Sequence, residues 1–267
     1  MPTPPANRYS QIIETIFLAH YTAGAREVTF ERQELADTAE QLGLPRPKNL
    51  GDIVYSFRFR TEFPKAITTI APTGQQWVIR KAGRSTYRFV LVAEWAVTPN
   101  ASLLCIKVPD ATPGMIAKYA LDDEQALLAK LRYNRLIDIF TGLTCYSLQN
   151  HLRCGVKGLG QIETDEIYVG VNRHGSHSVI PVQAKAGRDR MSVVQIEQDF
   201  ALCAEHFTDL ICRPIGAQFM AKDVIALFEF VASEDGVVVR EERHYQLVPP
   251  EDVTAADLVN YRLSVAD

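Results

Sequence analysis

The sequence predicts an α/β protein in two parts: a helix-rich N-terminal module closed by a basic hairpin, and a C-terminal core of strands and helices. Three observations predict it. Apolar residues recur at helical spacing through the N-terminal part, and "QQWVIRKAGRSTYRFVLV" then supplies two extended runs around Ala82-Gly83. Later, "QIETDEIYVGVNRHGSHSVIPVQAKAG" supplies two long extended runs about a turn, followed by a helical pattern and further strands. Charge is also divided unevenly. Residues 43–92 hold 9 Lys+Arg against 2 Asp+Glu, a local +7, and the remainder holds 19 basic and 30 acidic residues, or −11.

A chain of 267 residues is long enough for one large domain or two smaller ones. With 47% hydrophobic and 22% charged residues, the expected class is soluble globular. No apolar run reaches about 18 residues, so no membrane span is expected. The start "MPTPPANRY" lacks a basic-then-apolar leader pattern, which points to the cytoplasm. Five cysteines, with no CxxC among them, suggest neither a disulfide framework nor a zinc site, and reduced thiols are expected. The net charge of −4 argues against a nucleic-acid binder. The basic stretch argues the other way, because a local positive surface is what meets phosphate.

In chain order, "RYSQIIETIFLAHY" spaces Ile12, Ile13, Ile16 and Phe17 as a helix, and "EVTF" is a brief strand. "ERQELADTAEQLGL" is helical and ends near Gly43, with Pro45 and Pro47 blocking continuation. "NLGDIVYSFRFR" is a third helix with Asn49 as its N-cap and Arg58 and Arg60 at its end. The hairpin that follows carries Arg80, Lys81, Arg84 and Arg88. Residues 1–92 are therefore one domain and 93–120 a Pro-punctuated connector with one embedded strand. Residues 121–267 form the second domain. It opens on the helix "DDEQALLAKLRYNRLIDIF", whose Asp122 and Asp123 favour its N-terminus. "TGLTCYSLQNHLRCGVKGLGQ" reads as partly helical, then as a glycine-rich loop. Its Gly155-x-x-Gly158-x-Gly160 does not follow a clear strand and open a helix, so a dinucleotide site is not indicated.

The chemistry concentrates in the next segment. If the hairpin centres on Gly175, Asp165 lies opposite Lys185 and Ile167 opposite Gln183. Side chains alternate along strands, so Gln183 and Lys185 share a face with Asp165 and Glu163, and Glu166 points away. A carboxylate with nearby oxygen ligands suits Mg²⁺, a hard cation that keeps several waters. Such a metal activates water and stabilises charge on a phosphate. A neighbouring lysine positions that water and offsets developing charge. His174 and His177 read as solvated turn residues, since no further ligands lie close in sequence. Gln195 and Gln198 on the following helix are open between contact with the reactive centre and surface positions, and the cluster Gln149-Asn150-His151-Leu152-Arg153 between contact with DNA and capping a helix.

Two resemblances attach to these residues. Over residues 8–92, the order of helix, strand, two helices and basic hairpin resembles a winged helix-turn-helix. The resemblance implies that the third helix enters the major groove and that the hairpin lies on the backbone. Over residues 121–249, Asp165 followed by Gln183-Ala184-Lys185 resembles the restriction-endonuclease-like nucleases, with their acid on one strand and (Asp/Glu)-x-Lys on the next. That resemblance implies a mixed-sheet α/β nuclease core with Asp165, Gln183 and Lys185 catalytic. Asp165, Gln183 and the Ala184 carbonyl would bind Mg²⁺, or Mn²⁺ in its place, and Arg188 and Arg190 would hold the scissile strand. Gln183 stands where the pattern has an acid, so a helper carboxylate is expected: Glu163 first, Glu197 second. The chain as a whole resembles a type II restriction endonuclease. This implies double-stranded DNA as substrate, a homodimer matched to two-fold DNA symmetry and a companion DNA methyltransferase. Two rival readings are a DNA-binding regulator with an inactive nuclease-like domain and a repair or mobile-element nuclease without site specificity.

Overall fold

The computed structural model describes residues 7–59, 61–93, 97–121, 123–186, 189, 191–221, 223–233 and 236–263. Arg60, Arg188 and Arg190, all expected to contact DNA, and Asp122 lie outside the described residues. The chain is mixed α/β, as expected, and divides into two compact units. The first comprises residues 1–96, 154–162 and 192–195, and the second residues 97–153, 163–191 and 196–267. No helix among the described residues is long and apolar enough to cross a membrane.

The first unit runs α1 (Arg8–His20), β1 (Glu27–Glu31), α2 (Glu34–Gln41), α3 (Leu50–Phe59), α4 (Lys65–Thr68), β2 (Gln75–Lys81) and β3 (Thr86–Ala93). Its strands form an antiparallel sheet in the order β1-β3-β2. Ile12, Ile13, Ile16 and Phe17 are all buried on one face of α1, as their spacing predicts. Asn49 Oδ1 accepts the Gly51 N–H, capping α3. Phe17 anchors the core, meeting Trp77 and Phe89 edge-on at ring-centroid distances of 5.0 Å each.

From residue 97 onward the chain runs β4 (Cys105–Pro109), α5 (Gly114–Tyr119), α6 (Glu124–Tyr133), α7 (Leu136–Thr141), β5 (Thr144–Val156), β6 (Gly160–Val171) and β7 (His177–Lys185). It continues through α8 (Val193–His206), β8 (Ile211–Cys212), β9 (Ile215–Ala221), β10 (Val224–Ser233), β11 (Gly236–Val248) and α9 (Ala255–Leu263). The strands build one eight-stranded mixed sheet in the order β4-β11-β10-β9-β7-β6-β5, with β8 also on β7. β7 pairs antiparallel with β6 and parallel with β9, and α8 makes the crossover. That central place explains why "SVIPVQA" is a continuous buried run rather than an alternating one. β4, inside the stretch read as a connector, pairs in parallel with β11 and so belongs to this sheet.

Three expectations are corrected. Residues 144–156 form a full strand, not a partly helical loop: Thr144, Cys145, Tyr146 and Val156 suit a pleated edge, and a turn at residues 157–159 returns the chain as β6. The single helix expected after Asp123 is two. Asn134 Nδ2 donates to the Lys130 carbonyl and its Oδ1 accepts the Ala111 N–H, ending α6, while Arg135 adopts φ 49°. The hairpin centres on His174, not Gly175, because it closes on the pair Val171–His177 and sets Ile167 opposite Pro181. Asn172 Oδ1 accepts both the His174 and Ser176 N–H groups, and Gly175 takes φ +80°, which fixes a five-residue turn. A centre shifted by one residue moves the register by two, so the faces are preserved.

Candidate active site

The β6–β7 ladder pairs as far as Glu166–Val182. Beyond it the carboxylate of Asp165 takes over the backbone's role: Oδ2 accepts the Ala184 N–H at 2.8 Å. Asp165 is half-buried, and burial raises its pKa, opposed by Lys185, the Ala184 N–H and His151. Glu166 lies apart, fully buried, with its Oε1 2.6 Å from the Ser147 hydroxyl and 3.2 Å from Arg132 Nε.

Gln183 is fully buried on the central strand. Its amide nitrogen, rather than its carbonyl oxygen, turns to a carboxylate, donating to Asp199 Oδ1 at 3.1 Å and Oδ2 at 3.0 Å. The Thr164 hydroxyl donates to the same carboxyl group at 2.5 Å. Asp199 sits on α8 with no exposure, and burial pushes its pKa up to about 7, with Asp165 adding to the rise and Thr164, Gln183 and Lys185 opposing it. Lys185 is also buried, and its Nζ pairs with Glu124 Oε1 at 3.1 Å, the residue that opens α6. Strand, strand and two helices thus bring Asp165, Gln183, Lys185, Asp199 and Glu124 to one place.

The expected helper carboxylate is not the one that reaches Gln183. Glu163 pairs with His151 Nδ1 at 3.3 Å and with Arg153 Nε at 3.1 Å. Glu197 is half-buried on α8, and Asp199 two residues on supplies the contact. A signal for Asp199 was present in the sequence: Ile196, Asp199 and Cys203 fall at i, i+3 and i+7, so the acid interrupts an apolar stripe. His151 was legible only as part of a polar cluster. It holds φ 47° within β5, and its Nε2 is 2.8 Å from Gln125 Nε2. A non-glycine residue in that region is costly by about 1–3 kcal/mol and persists where its surroundings enforce it.

Among the described residues, no group of three or more His, Cys, Asp or Glu is spaced to hold a metal ion. The nearest approach to a donor set is sparser: Asp165 on β6, whose Oδ1 takes no hydrogen bond among the described residues, held to β7 through the Ala184 N–H. A single carboxylate is too few ligands for a closed cage, and a hard cation held there would keep most of its waters. His174 contacts Arg173 in the turn and Gln198 is buried. In the first unit, Arg84 is exposed at the β2–β3 tip, Arg80 and Lys81 are half-buried, and Arg88 pairs with Glu27 at 2.8 Å. Arg58 is half-buried, and burial lowers its pKa.

Comparison of the chain with family models, with curated proteins and with solved structures returns no match.

Proposed function

We propose that this chain is a Mg²⁺-dependent DNA endonuclease, with a nuclease core of the restriction-endonuclease-like type joined to a winged helix. The observation that carries the reading is the convergence of Asp165, Lys185 and the Gln183–Asp199 pair where the end of β7 lies beside the middle of β6. Buried carboxylates beside a buried lysine are costly to maintain, and such perturbed groups gather where chemistry is done. The β1-β3-β2 sheet, with α3 preceding its basic hairpin, supports a winged helix whose α3 reads or grips the duplex.

Asp165, with the Gln183 and Ala184 carbonyls, would hold Mg²⁺, which when bound supplies an acidified water and neutralises charge on the phosphate. The roles of the chain's own groups follow from their contacts. The Ala184 N–H fixes Asp165 in rotamer and direction. Gln183 lacks the charge of the usual acid, and Asp199 restores a carboxylate to its immediate surroundings. Lys185, anchored by Glu124, keeps its ammonium beside Asp165, where it can offset charge on the attacking oxygen. A homodimer would fit cleavage of both strands of a symmetric site.

One observation favours the second reading, a DNA-binding regulator with an inactive core: Gln183 replaces the acid, and no group of three His, Cys, Asp or Glu spaced to hold a metal ion is present among the described residues. Incubating the purified chain and Lys185→Ala with supercoiled plasmid in Mg²⁺ or Mn²⁺ separates the two. Discrete fragments from the wild type alone are expected. No cleavage with either ion refutes the enzyme, and random degradation points to a nuclease without site specificity.

A further inference from the structure

The C-terminal half of α8 and the short β8 strand carry chemistry unrelated to the carboxylate cluster. Cys203 and Cys212 both line a cavity of about 370 Å³ whose other walls include Phe200, Phe207 and Leu210. Eight residues separate them in sequence. The chain returns tightly, since the Phe207 N–H bonds the Cys203 carbonyl and the Leu210 N–H bonds the Phe207 carbonyl. Cys212 is then fixed by parallel pairing opposite Val179 on β7, and the Arg213 N–H bonds the Val179 carbonyl. The two thiols interact directly, and that contact, ahead of burial, raises the pKa of Cys203. Cys203 is 2% exposed and Cys212 half-buried, so Cys212 is the more accessible of the two thiols.

We propose that Cys203 and Cys212 form a modification site, a dithiol that closes to a disulfide on reaction with a hydroperoxide. In the first step the Cys212 sulfur attacks the peroxide, breaking the O–O bond to give Cys212–SOH and ROH. In the second step the Cys203 sulfur displaces the sulfenic oxygen, forming Cys203–S–S–Cys212 and water. Two electrons pass from the thiol pair to one peroxide. The apolar walls suit an alkyl or aryl hydroperoxide as well as hydrogen peroxide. α8 also holds Asp199, four residues before Cys203, so closure ties down the helix that supports Gln183. The proposal does not depend on the nuclease reading.

The test uses the full chain, reduced, desalted and treated with an excess of hydrogen peroxide or cumene hydroperoxide. It is then alkylated under denaturing conditions and mapped by peptide mass spectrometry. Oxidation of the exposed Met115 to its sulfoxide reports that the oxidant was active. Closure predicts that the five alkylatable thiols fall to three, with one cross-linked peptide joining Cys203 and Cys212. In Cys203→Ser, Cys212 should stop as a sulfenic acid trapped by dimedone, and in Cys212→Ser, Cys203 should stay alkylatable. Five alkylated thiols beside oxidised Met115 would overturn the proposal. So would a cross-link through any other cysteine, or Cys203 oxidising at the wild-type rate when Cys212 is serine.

Discussion

Replacing Asp199 with asparagine should make the protein more stable at pH 8 and remove most of its pH dependence between pH 5 and 8. The Asp199 carboxyl holds its proton to about pH 7 in the folded chain, against 3.8 as its ordinary value. Between those values the folded chain carries a proton that the unfolded chain has lost, so raising the pH draws stability from the fold. At about 1.4 kcal/mol for each tenfold change in proton affinity, the full span is worth roughly 4 kcal/mol. Asparagine has no charge to bury. Its Oδ1 can still accept from Gln183, while the Thr164 bond must reverse or weaken, a loss of about 1 kcal/mol. The net gain at pH 8 is then roughly 2–3 kcal/mol, shrinking to nothing or a small loss near pH 5. For a unit of this size that is about 5–10 °C in Tm. Asp165 and Glu166, both also raised by burial, give the wild type a slope of the same sign, so the difference between the two proteins is the quantity to read. Thermal melts in metal-free buffer at pH 5, 6, 7 and 8 supply it. Parallel curves, or a less stable asparagine variant at pH 8, would refute the reasoning.

Three further outcomes are expected. Gln183→Glu sets a second carboxylate where the amide now lies about 3 Å from Asp199; it should cost about 2 kcal/mol or more at pH 8 in metal-free buffer, and millimolar Mg²⁺ should recover most of that loss in a thermal-shift assay if the site takes a cation. Gly216→Ala brings a Cβ to 2.7 Å from Met191 Cε and 3.0 Å from a Phe230 ring atom; the methionine end can yield but the buried ring cannot, so chemical denaturation should show a loss of about 1–3 kcal/mol. Arg84→Ala, at the exposed hairpin tip, should weaken DNA binding and reduce the slope of log affinity against log salt by about 1, measured by fluorescence anisotropy, without changing thermal stability.

Local pattern determined a good part of this protein. The apolar spacing of Ile12, Ile13, Ile16 and Phe17 fixes the buried face of α1, Asn49 caps α3, and the runs on either side of residues 172–176 form a ladder. Even with the hairpin centre misplaced by one residue, Asp165, Gln183 and Lys185 were brought to one place, because a register shift of two leaves side-chain faces unchanged. The same logic fails where partners are distant in sequence. β5 gave no clean alternation because it lies at an edge of the sheet, exposed along most of its length, and β4 shows its partner only when β11 folds beside it. The break between α6 and α7 depends on what Asn134 meets outside the helix. The carboxylate that accompanies Gln183 was decided by tertiary structure alone. Glu163 shares a strand face with Asp165 in the expected ladder and was the natural choice, yet Arg153 and His151 take it, while the crossover of α8 over the central strand carries Asp199 to the amide. Sequence periodicity determines which side of its own element a residue occupies. Which buried charges meet is set by how the elements cross, and in this protein that crossing joins Asp199 to Gln183 and Glu124 to Lys185.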